Sequence, residues 1–236
     1  RSSGNDERLF TMAVCLFDID GTLLQSGGAG QAAMELALES VFGITAPTEG
    51  IAVAGRTDRA IVTDLMTFHG VENVEENWSL FVDAYLERLP HELSSRDGLV
   101  LPGVEQLLAE LYRRESLTMG LLTGNFRRGA ELKLDHYQLH DYFCGGGFGD
   151  DHFDRDDVAK ASLADVRGKK DLPSDAEVWV IGDTPADVKC GRAINATVIA
   201  VATGLHSIDD LEACDPDFLC EDFADVELIL GIFPGE

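Results

Sequence analysis

Unbroken apolar runs rich in branched side chains fall at residues 13–17, 117–122, 178–181 and 198–201, with a weaker one at 142–144. Runs without polar alternation suit strands buried on both faces. Between them, apolar positions recur at helical spacing over 104–114, 127–137, 157–166 and 186–194, with a last pattern near 223–232. Strand alternating with helix predicts an α/β fold built on a doubly wound parallel sheet.

One connection breaks the rhythm. Residues 25–98 separate the first strand from the helix that starts near Pro102, far more chain than a strand-to-helix loop needs. The stretch carries three amphipathic helical patterns, at 29–42, 58–69 and 74–89. The first opens after Ser26-Gly27-Gly28, and Asp58 stands where the second would have its N-cap. The expected organisation is therefore an α/β core from residues 12–24 and 99–236, interrupted by a helical domain at 25–98. Residues 1–11 receive no function, and no internal repeat is visible.

Composition narrows the class. With 236 residues, 45% of them hydrophobic, the chain is long enough to bury a core without staples. Its five cysteines are odd in number, scattered and without a CxxC pair, so they read as small buried apolar residues and not as a disulfide framework or zinc site. Asp and Glu number 43 against 18 Lys and Arg, a formal charge of −25 that makes nucleic acid a poor partner. No apolar run approaches the length that crosses a bilayer, and the first residues lack the apolar stretch of a signal peptide, so a cytoplasmic protein without a membrane partner is expected.

In a parallel open sheet, ligands bind at the carboxyl ends of the strands, so the residues just after each apolar run matter most. Asp18-Ile19-Asp20-Gly21-Thr22 follows the first run, Thr123-Gly124-Asn125 the second, and Gly182-Asp183-Thr184-Pro185-Ala186-Asp187 the one at 178–181. Asp18 and Asp20 are two apart and share a direction while the chain is extended. Two carboxylates that close cannot both ionise cheaply unless a cation intervenes, which suits one as nucleophile and the other as general acid and base. Asp183 and Asp187 add oxygen ligands without imidazole or thiolate, a donor set that favours Mg²⁺. Thr123 and the N–H groups of Gly124 and Asn125, at a helix N-terminus, would cradle phosphate oxygens. Together these clusters read as a phosphoryl-transfer site.

Phe17-Asp18-Ile19-Asp20-Gly21-Thr22-Leu23, Leu122-Thr123-Gly124-Asn125 and Ile181-Gly182-Asp183 with Asp187 resemble three of the four motifs of the haloacid dehalogenase superfamily. Leu101-Pro102-Gly103-Val104 is similar to the same point in its phosphoglycolate-phosphatase-like members. The resemblance spans about residues 12–232 and implies a Rossmann-like core with an inserted helical cap. It further implies that Asp18 attacks phosphorus to give an aspartyl-phosphate and that Asp20 protonates the leaving oxygen and then activates water. Thr123 would hold the phosphoryl group. Asp18, the Asp20 carbonyl and Asp183 would bind Mg²⁺, with Asp187 further out. The third motif departs from the family, whose Lys-Pro pair is absent. Two cations are candidates for its role, Arg155 at the mouth of the helix at 157–166 and Lys160 a turn inside it, and Arg155 is preferred because a guanidinium keeps its charge and can fork onto an oxygen.

Local residues choose among the family's reactions. Asp20 argues for phosphate esters and against carbon–halogen bonds, since only an alkoxide leaving group needs a proton. The phosphonate-cleaving members use a cap lysine, and residues 25–98 hold four Arg and no Lys. Gly55-Arg56-Thr57-Asp58 is the best candidate substrate contact in the cap, with Arg56 as a carboxylate or second-phosphate binder. The expectation is a phosphatase acting on a small phosphorylated metabolite, as monomer or homodimer. The alternatives are a phosphomutase of the same superfamily and a silent phospho-ligand-binding regulator. The negative surplus lies away from the site, with twelve acids at 25–98 and ten after Arg192, where no Lys or Arg follows.

Overall fold

The computed structural model describes residues 12–45 and 51–233. Six strands form one parallel sheet: β1 (Ala13–Phe17), β4 (Leu117–Leu122), β5 (Gly146–Gly147), β6 (Glu177–Gly182), β7 (Thr197–Val201) and β8 (Phe218–Cys220). Their spatial order is β5-β4-β1-β6-β7-β8. The chain builds outward from β1 on one side, then returns to lay β6 on its other side, so the winding reverses beside β1. That reversal leaves a crevice at the carboxyl ends of β1 and β6.

Every residue of β1 is buried, and its side chains alternate between two apolar layers. Ala13, Cys15 and Phe17 join Leu107, Leu108, Leu111, Trp179 and Phe223 on one face, while Val14 and Leu16 join Val158, Val166, Val180 and Val198 on the other. Burial of each large side chain contributes about 1.5–3 kcal/mol, which explains why central strands read as continuous apolar runs. The covering helices are α4 (Val104–Tyr112), α5 (Arg127–His136), α6 (Arg155–Lys170) and α7 (Pro185–Ala193), with short α8 (Ile208–Glu212) and α9 (Val226–Leu230) near the end.

Between β1 and β4 lie α1 (Ala29–Phe42), α2 (Asp58–Phe68) and α3 (Glu75–Ser95). They bury a separate apolar cluster of Ala33, Ala37, Leu38, Val62, Met66, Phe81 and Tyr85. A two-stranded antiparallel ribbon of β2 (Leu24–Gln25) and β3 (Leu99–Val100), absent from the sequence reading, ties together the two places where this helical layer joins the sheet. Phe126 bridges the layers: it opens α5 yet packs edge-on against Trp78 and Tyr85 of α3.

Several expectations need correction. The strand expected at 142–144 is not formed: Tyr142 ends a short 3₁₀ turn at His140–Tyr142, the Cys144 N–H donates a single bond to the Met119 carbonyl, and the strand pairing falls on Gly146–Gly147, where absent side chains admit close approach to Leu121. Thr57, not Asp58, caps α2, its hydroxyl accepting from the Ala60 N–H, which shifts Asp58 to the first helical position. α3 runs through Pro90 to Ser95 because its stripe of Phe81, Tyr85, Leu89 and Leu93 is fully packed, offsetting the lost N–H. Cys15 and Cys190 are buried as expected, but Cys144, Cys214 and Cys220 are only half-buried; all five are free. The assignment of no function to residues 1–11 lies outside the described residues. Among the described residues, no helix is long and apolar enough to cross a membrane.

Candidate active site

β1 ends at Phe17, and the Asp18 N–H still donates to the Ile181 carbonyl at 2.9 Å, so the first aspartate is held at the carboxyl end of a central strand of the sheet. The chain then coils tightly: the N–H groups of Thr22, Leu23 and Leu24 all donate to the Ile19 carbonyl. Gly21 makes this possible, with φ of 85° and a position where a Cβ would stand 2.4 Å from Asp183 Oδ2. Beyond the coil the two aspartates take different partners, Asp18 pairing with Arg155 and Asp20 with Lys133. Asp18 is buried, whereas the side chain of Asp20 is 37% exposed.

Asp18 lies in a buried acidic cluster with Asp183 and Asp187, each of which offers one carboxylate oxygen within 4.8 Å of the other two. Burial pushes the Asp18 carboxyl up from the usual range, opposed by Arg155 and reinforced by Asp187 and Asp20. Asp183 is likewise raised by burial and then by the charges of Asp18 and Asp187, with the Thr22 hydroxyl donating to Oδ1 at 3.1 Å. Asp187 is saturated: Oδ2 accepts from the N–H and hydroxyl of Thr184 in a capping box at the start of α7, and Oδ1 pairs with Arg155.

Arg155, the first residue of α6, is the cation of this cluster. Both terminal nitrogens donate to Asp18 Oδ1 at 3.3 Å, and one also reaches the Leu122 carbonyl. Burial alone would lower its pKa, but the charges of Asp187 and Asp18 outweigh that and raise it. Lys160 instead points outward, pairing with Asp157 at 2.9 Å on an exposed face. Of the two candidates, only Arg155 reaches Asp18.

Thr123, within the second motif, is fully buried, its hydroxyl accepting from the Asn125 N–H at 3.2 Å. Gly124 permits the helical layer to approach, since a Cβ there would stand 2.0 Å from the Arg56 carbonyl. Arg56 is held within its own layer, donating to Asp64 at 2.7 Å and to the Ala52 carbonyl at 3.0 Å. A cavity of about 1320 Å³ lies between the layers, lined by Asp18, Asp20, Asn125, Arg56, Arg155 and Asp183 among others.

One lining residue escaped the sequence reading. Lys133 of α5 is buried, and its ammonium donates to Asp20 Oδ2 at 2.5 Å and to Asn125 Oδ1 at 2.7 Å. Its signal was a charge on an apolar stripe: Ala130, Lys133, Leu134 and Tyr137 recur at helical spacing, and α5 buries Ala130, Lys133 and Leu134.

The donor set suits a hard divalent cation. It is all oxygen and nearly dry, and Gly21 and Gly204 form a cradle in which added Cβ atoms would stand 2.4 and 1.7 Å from Asp183 Oδ2. One guanidinium faces three carboxylates, so further positive charge would be welcome there.

A doubly wound sheet with paired aspartates after its first strand and a charged cluster at its carboxyl rim defines an α/β enzyme with a rim site. The chain belongs to the haloacid dehalogenase-like hydrolases, whose family model matches residues 15–201. It is 24% identical over 224 residues to "Probable phosphatase IndB" of Dickeya dadantii, covering 89% of this chain and 90% of that one. Solved structures share the fold. A predicted phosphatase from Clostridium acetobutylicum matches with a TM-score of 0.68 at 20% identity, over 94% of this chain and 99% of that one. A predicted phosphoglycolate phosphatase from Haemophilus somnus matches with 0.68 at 18%, over 94% and 98%.

Proposed function

We propose that this hydrolase is a Mg²⁺-dependent phosphatase that cleaves a small phosphomonoester through an aspartyl-phosphate on Asp18. The observation that carries the reading is the division of labour between the paired aspartates. Asp18 lies in the acidic cluster against Arg155, and Asp20 turns into the cavity. Hydrolase family membership and the phosphatase names among its relatives support it.

Asp18 attacks phosphorus, the bond to the ester oxygen breaks, and Asp20 gives that oxygen its proton. Asp20 then takes a proton from water as the water oxygen bonds to phosphorus, freeing Asp18 and inorganic phosphate. Arg155 favours ionised Asp18 and fixes one of its oxygens. Thr123 accepts the Asn125 N–H and so shapes the loop before α5, which leaves the Gly124 N–H as the group that would meet a phosphate oxygen. Mg²⁺ held by Asp18 and Asp183, with Asp187 behind them, would neutralise charge on the transferred group. Residues 25–98 act as a cap that covers the cavity, and Arg56 is its candidate substrate contact.

Phosphate release from an aryl phosphate and a panel of phosphorylated metabolites tests this. Turnover should require Mg²⁺, stop on adding EDTA and return with excess Mg²⁺. No release from any ester with Mg²⁺ present would overturn the reading.

A further inference from the structure

Lys133 has no role in the mechanism just described, yet its placement is costly. A helix that packs one face against neighbours gains most from an apolar side chain there, and a buried ammonium is tolerated only when paired. Here only 5% of the side chain is exposed. Nζ sits between Asp20 Oδ2 at 2.5 Å and Asn125 Oδ1 at 2.7 Å, joining the loops after β1 and β4 through one cation. Gly30, at the start of α1, lies close by: a Cβ there would stand 3.7 Å from Nζ.

We propose that Lys133 is the positioning residue for proton transfer by Asp20. The inference rests on the phosphatase reading. An ammonium offers three donors and no acceptor. The Asp20 oxygen that faces it is the better acceptor when left unprotonated, so the pairing favours the transferable proton on Oδ1. Asn125 holds the ammonium from the other side, so Asp20 cannot turn its protonated oxygen away from the ester without breaking the pair.

In the first step, the proton leaves Asp20 Oδ1 for the bridging oxygen as the ester P–O bond breaks and the Asp18 oxygen–phosphorus bond forms. In the second, the same Oδ1 receives a proton from water as the water oxygen bonds to phosphorus and the Asp18 bond breaks. Lys133 exchanges no proton in either step.

The test uses leaving-group dependence. The ratio kcat/KM covers only the steps through departure of the alcohol, so hydrolysis of the aspartyl-phosphate does not enter it. Nitrophenolate leaves without a proton, whereas an alkoxide needs one. Lys133→Met should therefore lower kcat/KM by about 100-fold for an alkyl phosphate, and by less than about 5-fold for 4-nitrophenyl phosphate, within the range ascribed to general acid catalysis. Lys133→Arg, which keeps the charge, should recover most of the loss on the alkyl ester. Equal losses on both esters, or none, would overturn the inference. Should Lys133→Met fail to fold, Asn125→Ala removes only the second tether and should show the same selective loss at smaller amplitude; a uniform loss there would overturn it equally. Turnover by the wild type with a uniform loss in the variants removes only the role of Lys133. No turnover by the wild type on any ester removes the phosphatase reading and this inference together.

Discussion

The two halves of the rim handle charge in opposite ways. On the β1–β6 side, Asp18, Asp183 and Asp187 share one guanidinium, all four side chains buried. On the α5 side, Asp20 meets Lys133 one to one, and the pair opens on the cavity. The first half lacks positive charge and suits a divalent cation and a fixed nucleophile. The second is balanced without help and suits an acid that must move a proton while keeping its place. Two aspartates separated by one residue thus enter unlike environments where β1 gives way to the coil at Ile19–Leu24, Asp18 meeting Arg155 and Asp20 meeting Lys133.

The largest effect expected of this contrast is at Asp18. Asp18→Asn keeps the shape and removes the nucleophile, so steady-state turnover should fall by about 10⁴-fold or more while circular dichroism stays unchanged. Appreciable remaining activity would move the nucleophile elsewhere. Next comes the cation of the deficient half. Arg155→Met leaves Asp18 and Asp187 without compensation, so denaturant unfolding should show a loss of roughly 3–5 kcal/mol. Unchanged stability would show that the cluster does not depend on Arg155.

The smallest effect is expected at Asp58, a second carboxyl that feels the charge of Lys133. Asp58 Oδ2 accepts from the Phe126 N–H at 2.8 Å, tying α2 to the start of α5. Burial pushes its carboxyl up from 3.8 to about 7, opposed by Lys133 and by the Phe126 bond. The folded chain therefore keeps a proton that the unfolded chain has released across that interval. The stability this contributes is fully present below 3.8 and is lost as pH rises through about 7. Asp58→Asn preserves the acceptor and should flatten that decline by on the order of 2 kcal/mol, read from unfolding curves between the two pH limits. An unaltered pH profile would mean that the carboxyl titrates as it would in water.

Much of this was legible along the chain. β1 and β4 fall on their apolar runs, and the aspartates cluster because the parallel sheet gathers strand ends at one rim. What local pattern could not supply was contact across the fold. Asp20 and Lys133 are 113 residues apart, and nothing near either residue names the other. The apolar stripe of α5 did mark Lys133 as anomalous, though not its partner. Boundaries slipped where neighbours compete for one role, as Thr57 and Asp58 do for the cap of α2. The strand at Gly146–Gly147 was missed because glycine carries no apolar signal, and it pairs there because it is small.

The central claim is that Asp18 carries the phosphoryl group during turnover. Acid quench of the Mg²⁺-loaded protein with a phosphate ester, followed by mass spectrometry of the peptide containing Asp18, tests it directly. One added phosphoryl group on Asp18 is expected, absent with EDTA and in Asp18→Asn. Steady release of phosphate with Asp18 unmodified at every quench time would contradict the account.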